Sequence, residues 1–342
     1  MSKKNSIVLN HKNCFDNSKR ILKIYIDFKN KLKKIKSKNF LVSVSGGSDS
    51  LALAALCKVY SIENKKTFFM YAHIDHGLRK SSDKEAVKVK KILRKQELNL
   101  KILKNKSKIF QNLQHNARKI RYNLLNKLCE KNKLSYIVTG HHKNDQIENF
   151  FIRLSRGSGI QGLSSMNTIT VLNKKTKILR PLLDVEKSEL KYLSKKFFGS
   201  YIKDPSNNND KFLRIKVRKL LPLMEKHGIK KQLIYKSIKN LQSSSRTINF
   251  YFLNIYDKIV RKEKRRFTIK SEQFFTLGQE FKLKILGLII QKLNLKDYPP
   301  RSKKLLYAIK IFDSGKIKRY SLGGCLIRLQ KSLIIIEKEV KK

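Results

Sequence analysis

The sequence of 342 residues has no tryptophan, five prolines, 14 glycines and four cysteines. Cys14, Cys57, Cys129 and Cys325 are scattered and form no CxxC pair. A disulfide framework or a zinc ribbon is therefore not expected, and an intracellular setting fits. Long apolar runs are also missing, and none approaches the ~20 residues needed to cross a bilayer. The opening MSKKNSIVLNHKN lacks the apolar core of a signal peptide. These absences predict a soluble, cytoplasmic protein with no membrane partner. Acidic residues are scarce, with 25 Asp and Glu against 79 Lys and Arg, a formal charge of +54. Such an excess favours polyanionic partners, RNA and DNA first. The abundance of Lys, Asn and Ile is also what an A/T-rich coding bias gives, and composition does not separate the two readings.

What is present points to real cores. Hydrophobic residues make up 40% of the chain, with 18 Phe and 13 Tyr, which excludes global disorder. The length suits two or three domains. After a Lys-rich leader ending in a helix (about 18–36), strand and helix signals alternate. Strands are predicted at FLVSVS (40–45), TFFMYAHI (67–74), LKILK (100–104) and SYIVTG (135–140). Helices are predicted at 48–60, 81–96, 111–132 and 144–154, the second opening with Ser82 and Glu85 at capping-box spacing. Short apolar strands alternating with helices predict a parallel sheet covered on both faces, with ligands at the carboxyl ends of the strands. From about residue 229 the alternation stops. The remainder reads as mainly helical, and the end, KRYSLGGCLIRLQKSLIIIEKEV, as two strands around a turn. The expected division is a basic helical leader over 1–36, an α/β domain over 37–226, and a smaller basic helical domain over 227–342 with a terminal β-hairpin.

In a glycine-poor chain, Gly46 and Gly47 lie side by side between a strand and a helix, within SGGSDS (45–50). Glycine permits a tight turn and close approach of a ligand to the backbone. The first N–H groups of the following helix point at that ligand, which suits an anion. Ser45, Ser48 and Ser50 add hydroxyls. GxxxxGK[ST] and GxGxxG are both absent, so this is neither a Walker A loop nor a Rossmann fingerprint. An aspartate beside phosphates is repulsive unless a Mg²⁺ held by them faces Asp49. The plainer alternative is a strand-to-helix turn with Asp49 at a helix start, where a carboxylate is favoured anyway.

SGGSDS resembles the pyrophosphate-binding signature of ATP-dependent adenylating enzymes, the PP-loop superfamily. AHIDHGLR (72–79), NARKIRY (116–122), TGHHKNDQIENFFIRLSRGSGIQGL (139–163), RPLL (180–183) and DPSNNNDKFLRIKVRKLLP (204–222) then follow in the order seen in tRNA(Ile)-lysidine synthetases. The resemblance covers most of residues 40–225. The final SLGGCLIRLQKSLIIIE also resembles the hairpin closing that family's first C-terminal domain, so a short form without a further domain is expected. The sequence departs from the family at Asn144, where paired aspartates are usual, at Asn149, where Thr is usual, and at Ile215, where Asn is usual.

The resemblance implies a ligase. It would join free L-lysine to C2 of the wobble cytidine of the CAU-anticodon isoleucine tRNA through an adenylated cytidine, using ATP and Mg²⁺ and releasing AMP and pyrophosphate. Residues 45–50 would hold ATP, with Asp49 as a metal or catalytic carboxylate. Arg118 and Arg121, three apart on one helix, could clamp phosphate or developing charge; a solvated basic face is the alternative. His73, Asp75 and His76 lie past a strand end, and a two-His-one-carboxylate zinc site is their rival reading. His141 and His142 follow another strand end, where imidazole can carry a proton, and His141 is the catalytic candidate. Asp145 and Glu148 could bind the lysine ammonium, or be a surface carboxylate pair. Arg153, Arg156, Arg214 and Arg218 are candidate tRNA contacts. Family members often pair, so a homodimer is also implied, although no residue fixes an interface. Two rivals stay open: a sulfur-inserting adenylating tRNA modifier, and a non-catalytic RNA-binding relative.

Overall fold

A computed structural model describes residues 18–77, 82–105, 113–202, 212–295, 299–315 and 317–339. The chain divides into two compact units, 1–242 and 243–342.

The first unit is built on a six-stranded sheet. Its elements are α1 (Lys19–Lys33), β1 (Asn39–Ser43), α2 (Ser48–Glu63), β2 (Phe68–Asp75), α3 (Ser82–Arg94), β3 (Leu100–Lys104), α4 (Leu113–Lys131) and β4 (Tyr136–Val138). They continue with α5 (Lys143–Leu154), α6 (Ile160–Leu163), β5 (Ile169–Val171), β6 (Lys177–Leu179), α7 (Lys187–Phe198) and α8 (Leu213–Lys226). The strand order is β3-β2-β1-β4-β6-β5, parallel except for β5 at the edge. β1 pairs with β2 on one side and β4 on the other, so the chain reverses its winding at β1. A crevice opens at such a point, beyond the carboxyl ends of the strands. β5 and β6 escape sequence reading because each has three residues among turn formers.

One sheet face is covered by α2 and α7, which share a core with Phe40, Val42 and Val44 of β1 and its extension. On the other face Leu41, Ala72 and Ile137 pack against Tyr122, Leu125 and Cys129 of α4. The leader helix joins the first of these cores. Ile21, Ile24, Tyr25, Phe28 and Leu32 fall on one stripe of α1 and are all buried there. The segment set apart in the sequence as a leader thus completes the α/β core. Residues 1–17 lie outside the described residues.

The long helix α9 (Lys231–Ile259) runs through the division at 242–243. Its first turns belong to the first unit, because Ile234 and Ile238 are buried with Ile147, Val217 and Leu221. The composition change near 227 therefore precedes the packing boundary.

The second unit contains more strand than the sequence suggests. After α9 come β7 (Val260–Lys262), β8 (Arg266–Lys270), α10 (Ser271–Phe275), α11 (Gln279–Asn294) and α12 (Ser302–Asp313). β9 (Arg319–Leu322), β10 (Cys325–Gln330) and β11 (Leu333–Lys338) end the described chain. The expected hairpin is β10–β11, but it sits inside a five-stranded antiparallel sheet, β7-β8-β11-β10-β9. β7 lies in a stretch whose sequence reads as helical, and β8 escapes notice because VRKEKRRFTIK is dominated by charges; only Phe267, Thr268 and Ile269 of β8 turn inward.

Candidate active site

The glycine loop follows β1 directly. Gly46 has φ +88° and its carbonyl accepts from the Ile202 backbone N–H. A Cβ at Gly46 would lie 2.5 Å from Val89 Cγ2, so both conformation and space require glycine. Gly47 caps α2 with no side-chain hydrogen bond. Ser50 turns its side chain into the loop. Its hydroxyl accepts from the Ser45 and Gly46 backbone N–H groups at 3.1 and 3.2 Å and lies 3.0 Å from the Gly47 carbonyl. It pins the loop from within, leaving the α2 N-terminus as the anion-facing surface. Ser48 Oγ donates to Asp49 Oδ1 at 3.0 Å.

A second glycine decides what meets this loop. A Cβ on Gly140 would lie 2.8 Å from the Asp49 carbonyl oxygen and 3.2 Å from Ser50 N. Only glycine lets the segment after β4 press against the first turn of α2, and this contact carries the next residues to the α2 N-terminus. His142, 1% exposed, places Nε2 3.4 Å from Asp49 Oδ2 and 3.6 Å from Asp145 Oδ2. The His142 backbone N–H donates to Asp145 Oδ2 at 3.1 Å, which closes the start of α5. Burial lowers the His142 pKa, but the hydrogen bond to Asp49 and the charges of Asp145 and Asp49 outweigh it, and the net shift is upward. Burial pushes the Asp145 carboxyl up. His142, His141, Arg214 and the His142 N–H together overcome this and hold it below the ordinary carboxylate value.

His141 is in a different setting. Nδ1 lies 2.8 Å from Thr139 Oγ1. Burial lowers its pKa; Asp145 opposes, Arg180, Arg118 and Arg214 add to the fall, and the result is about 3. An imidazole this acidic is neutral near pH 7 and a weak base. The histidine between two carboxylates is His142, one residue on. The repeated His in GHH was the available signal, but sequence does not say which ring faces inward.

The candidate arginines fall into two groups. Arg118 is exposed, with its guanidinium 5.0 Å from the Tyr122 ring centre. Burial lowers the Arg121 pKa, Tyr122 opposes, and Arg118 and Arg214 lower it further, so these three cations sit within electrostatic reach of one another. Arg214 and Arg218 of α8 close on Glu148. Arg218 donates to both carboxylate oxygens at 2.6 and 3.2 Å, and Arg214 Nε lies 3.1 Å from Oε2. The two tRNA candidates and one lysine candidate thus form a single ionic cluster tying α8 to α5. Arg153 and Arg156, at and beyond the end of α5, are exposed.

At the end of β2, His73 Nδ1 lies 2.9 Å from the Val44 carbonyl, and Asp75 Oδ1 accepts from Gly77 N at 2.9 Å. His76 is lowered to about 4 by burial, with Arg121 and His73 adding to the fall and Asp75 opposing it. Among the described residues no group of three or more His, Cys, Asp or Glu side chains is placed to hold a metal, and the rival zinc reading gains nothing from this geometry. A Mg²⁺ needs less, one or two carboxylates with substrate phosphates completing its shell. Asp49, whose side chain is 31% exposed at the α2 N-terminus, fits that demand.

A profile of the PP-loop domain matches residues 20–224. The tRNA(Ile)-lysidine synthase of Wolbachia pipientis wMel is 32% identical over 302 residues, covering 87% of this chain and 70% of that protein. The chain belongs to the tRNA(Ile)-lysidine synthase family. The lysidine synthase of Orientia tsutsugamushi is 34% identical over 308 residues, covering 87% of this chain and 69% of its own. Among solved structures, a U34-tRNA thiolase from Methanococcus maripaludis with its [4Fe-4S] cluster matches with a TM-score of 0.55 and 19% identity, over 66% of this chain and 80% of that one. At that identity the likeness shows the fold alone. For this PP-loop lysidine synthase family member, ATP use follows from the family. Among the described residues no helix is long and apolar enough to cross a membrane.

Proposed function

We propose that this chain ligates free L-lysine to C2 of the wobble cytidine in a CAU-anticodon tRNA(Ile), consuming ATP in the cytoplasm. The observation that carries the reading is the meeting of the glycine loop with His142 between Asp49 and Asp145, in a chain whose relatives bear the lysidine synthase name. In the first step the cytidine C2 oxygen attacks the α-phosphorus of ATP. An O–P bond forms and pyrophosphate leaves. In the second, the lysine ε-nitrogen attacks C2, the C2–O bond breaks and AMP departs.

Each residue has a part that its chemistry suits. The loop 45–50 and the α2 N-terminus hold phosphate oxygens through backbone N–H groups. Asp49 would hold a Mg²⁺, which when bound neutralises charge on the phosphates. Lysine arrives as an ammonium with an amine pKa of about 10.4 and must lose a proton before attack. Asp145, ionised and beside His142, attracts that ammonium, and His142 is placed to take the proton onward. Arg118 and Arg121 face the charge that develops on the leaving groups. Glu148 is clasped by Arg214 and Arg218, and it reaches lysine only if those cations turn to RNA. Arg153 and Arg156 meet the tRNA backbone, with the target base splayed from its single-stranded loop. The basic second unit grips the tRNA body, and two copies of the chain pair.

The test is incubation with ATP, Mg²⁺, labelled lysine and a CAU-anticodon tRNA(Ile) transcript. Lysine should enter the tRNA with one AMP and one pyrophosphate released per lysine. Release of ADP, or incorporation of sulfur in place of lysine, refutes the reading.

A further inference from the structure

Among the described residues of the first unit, Arg180 is a buried arginine that the reaction above leaves without a task. It follows β6, one strand beyond β4 and two beyond β1. Its residue is 4% exposed. Nη1 donates to the Asn167 carbonyl at 3.0 Å and to Thr170 Oγ1 at 2.8 Å. Among the described residues Nε has no hydrogen-bond partner, and the hydroxyl of Tyr122 lies within side-chain hydrogen-bonding reach of the guanidinium. Among the described residues no carboxylate forms an ion pair with this guanidinium. Burial lowers its pKa, Tyr122 opposes, and Arg118 lowers it further.

A buried cation with no counter-ion is unfavourable, and a bound anion relieves it. The anchored Nη1 fixes the plane of the group, and the Nε edge that remains has the shape that accepts a carboxylate with two parallel bonds. Position selects the anion. Along the carboxyl edge of the sheet, the phosphate loop follows β1, His142 and Asp145 follow β4, and Arg180 follows β6. Neighbouring strands are about 4.8 Å apart, so the outer stations are separated by roughly 10 Å at the backbone. The reacting nitrogen belongs near the phosphate end. The far end of an amino acid extended along that edge is its carboxylate. RNA and ATP phosphates already have the exposed cations and the α2 N-terminus.

We propose that Arg180 binds the α-carboxylate of the free amino-acid substrate, while Asp145 faces its side-chain ammonium. This rests on the lysine-ligating reading and adds to it a means of distinguishing an amino acid from a simple amine. Lysine, lysinamide and cadaverine differ in that carboxylate alone or nearly so. Wild-type protein with ATP and the tRNA should use lysinamide and cadaverine at least about tenfold less efficiently than lysine, the scale of a charge-assisted hydrogen-bonded pair. In Arg180→Lys and Arg180→Met, lysine should fall toward the cadaverine rate through KM. Cadaverine use and the KM for ATP should stay unchanged, which also reports that the variants are folded. Equilibrium dialysis of labelled lysine should show the same loss without turnover. Equal use of cadaverine and lysine by wild type overturns the proposal. So does a retained lysine preference in both variants, or a rise in the KM for ATP or tRNA in place of lysine. Failure of the wild type to transfer lysine at all would instead refute the reaction.

Discussion

Replacing Glu148 by Gln should separate two jobs this carboxylate can hold. Its side chain is 3% exposed, whereas those of Arg214 and Arg218 keep 36% and 27%. Breaking a fully buried pair costs about 3–5 kcal/mol, because the partner is left as an uncompensated charge. Here water reaches both arginines, and the figure is discounted to about 2–3 kcal/mol. For a unit of this size each kcal/mol moves Tm by about 2–4 °C, so a fall of roughly 4–12 °C is expected. Differential scanning calorimetry of the whole chain measures it. Adding Arg218→Gln to Glu148→Gln should recover part of the loss, since the stranded cation goes too. A destabilisation below about 0.5 kcal/mol, the range of ordinary surface changes, would refute the view that this cluster ties α8 to α5. A large rise in the KM for lysine with Tm unchanged would make Glu148 a ligand-binding carboxylate.

Three further outcomes follow from the site. Asp49→Asn keeps shape and removes charge, so adenylation followed by pyrophosphate release should slow by about 100-fold or more, the scale of losing a preorganised electrostatic contact; unchanged turnover would leave Asp49 a helix-start residue. Gly140→Ala forces a methyl group against the Asp49 carbonyl, and an overpacking cost of about 1–3 kcal/mol with weakened ATP binding by calorimetry is expected; wild-type affinity would contradict the close approach. The raised folded-state pKa of His142 means its contribution to stability is full below the unfolded value of about 6.5 and is lost as pH rises through the folded value. The stability gap between wild type and His142→Gln should therefore shrink from pH 6 to pH 9, and a gap that widens with pH would reverse the assigned sign.

The parallel sheet, its strand-helix alternation and the anion loop are legible in sequence because each rests on local chemistry. Apolar runs make buried strands, and Gly46 needs a left-handed backbone. The pairings within the site are not local. Nothing in GHH says that Gly140 touches the backbone at Asp49, or that His142 turns inward while His141 bonds Thr139. The spacing of Asp145 and Glu148 was legible, but not that α8 brings two arginines onto only one of them. β7 and β8 were hidden for a similar reason: few of their residues face the core, and partner strand β11 lies more than sixty residues on. Long-range contact decides these features, and periodicity does not carry it.

The burial of α1 against α7 sets a schedule for synthesis. Ile21, Phe28 and Leu32 find their core partners among residues up to Phe198, and Lys31 finds Asp184 at 2.6 Å. At about 5–20 residues per second, the ribosome needs on the order of 10–30 s to deliver α7 after α1 has emerged. Throughout that interval α1 has its contact with α2, where Phe28 meets the edge of Tyr60, but lacks the side of its core that α7 supplies. An early helix thus waits for a late one, and the core shared by α1, α2 and α7 closes only when α7 is delivered.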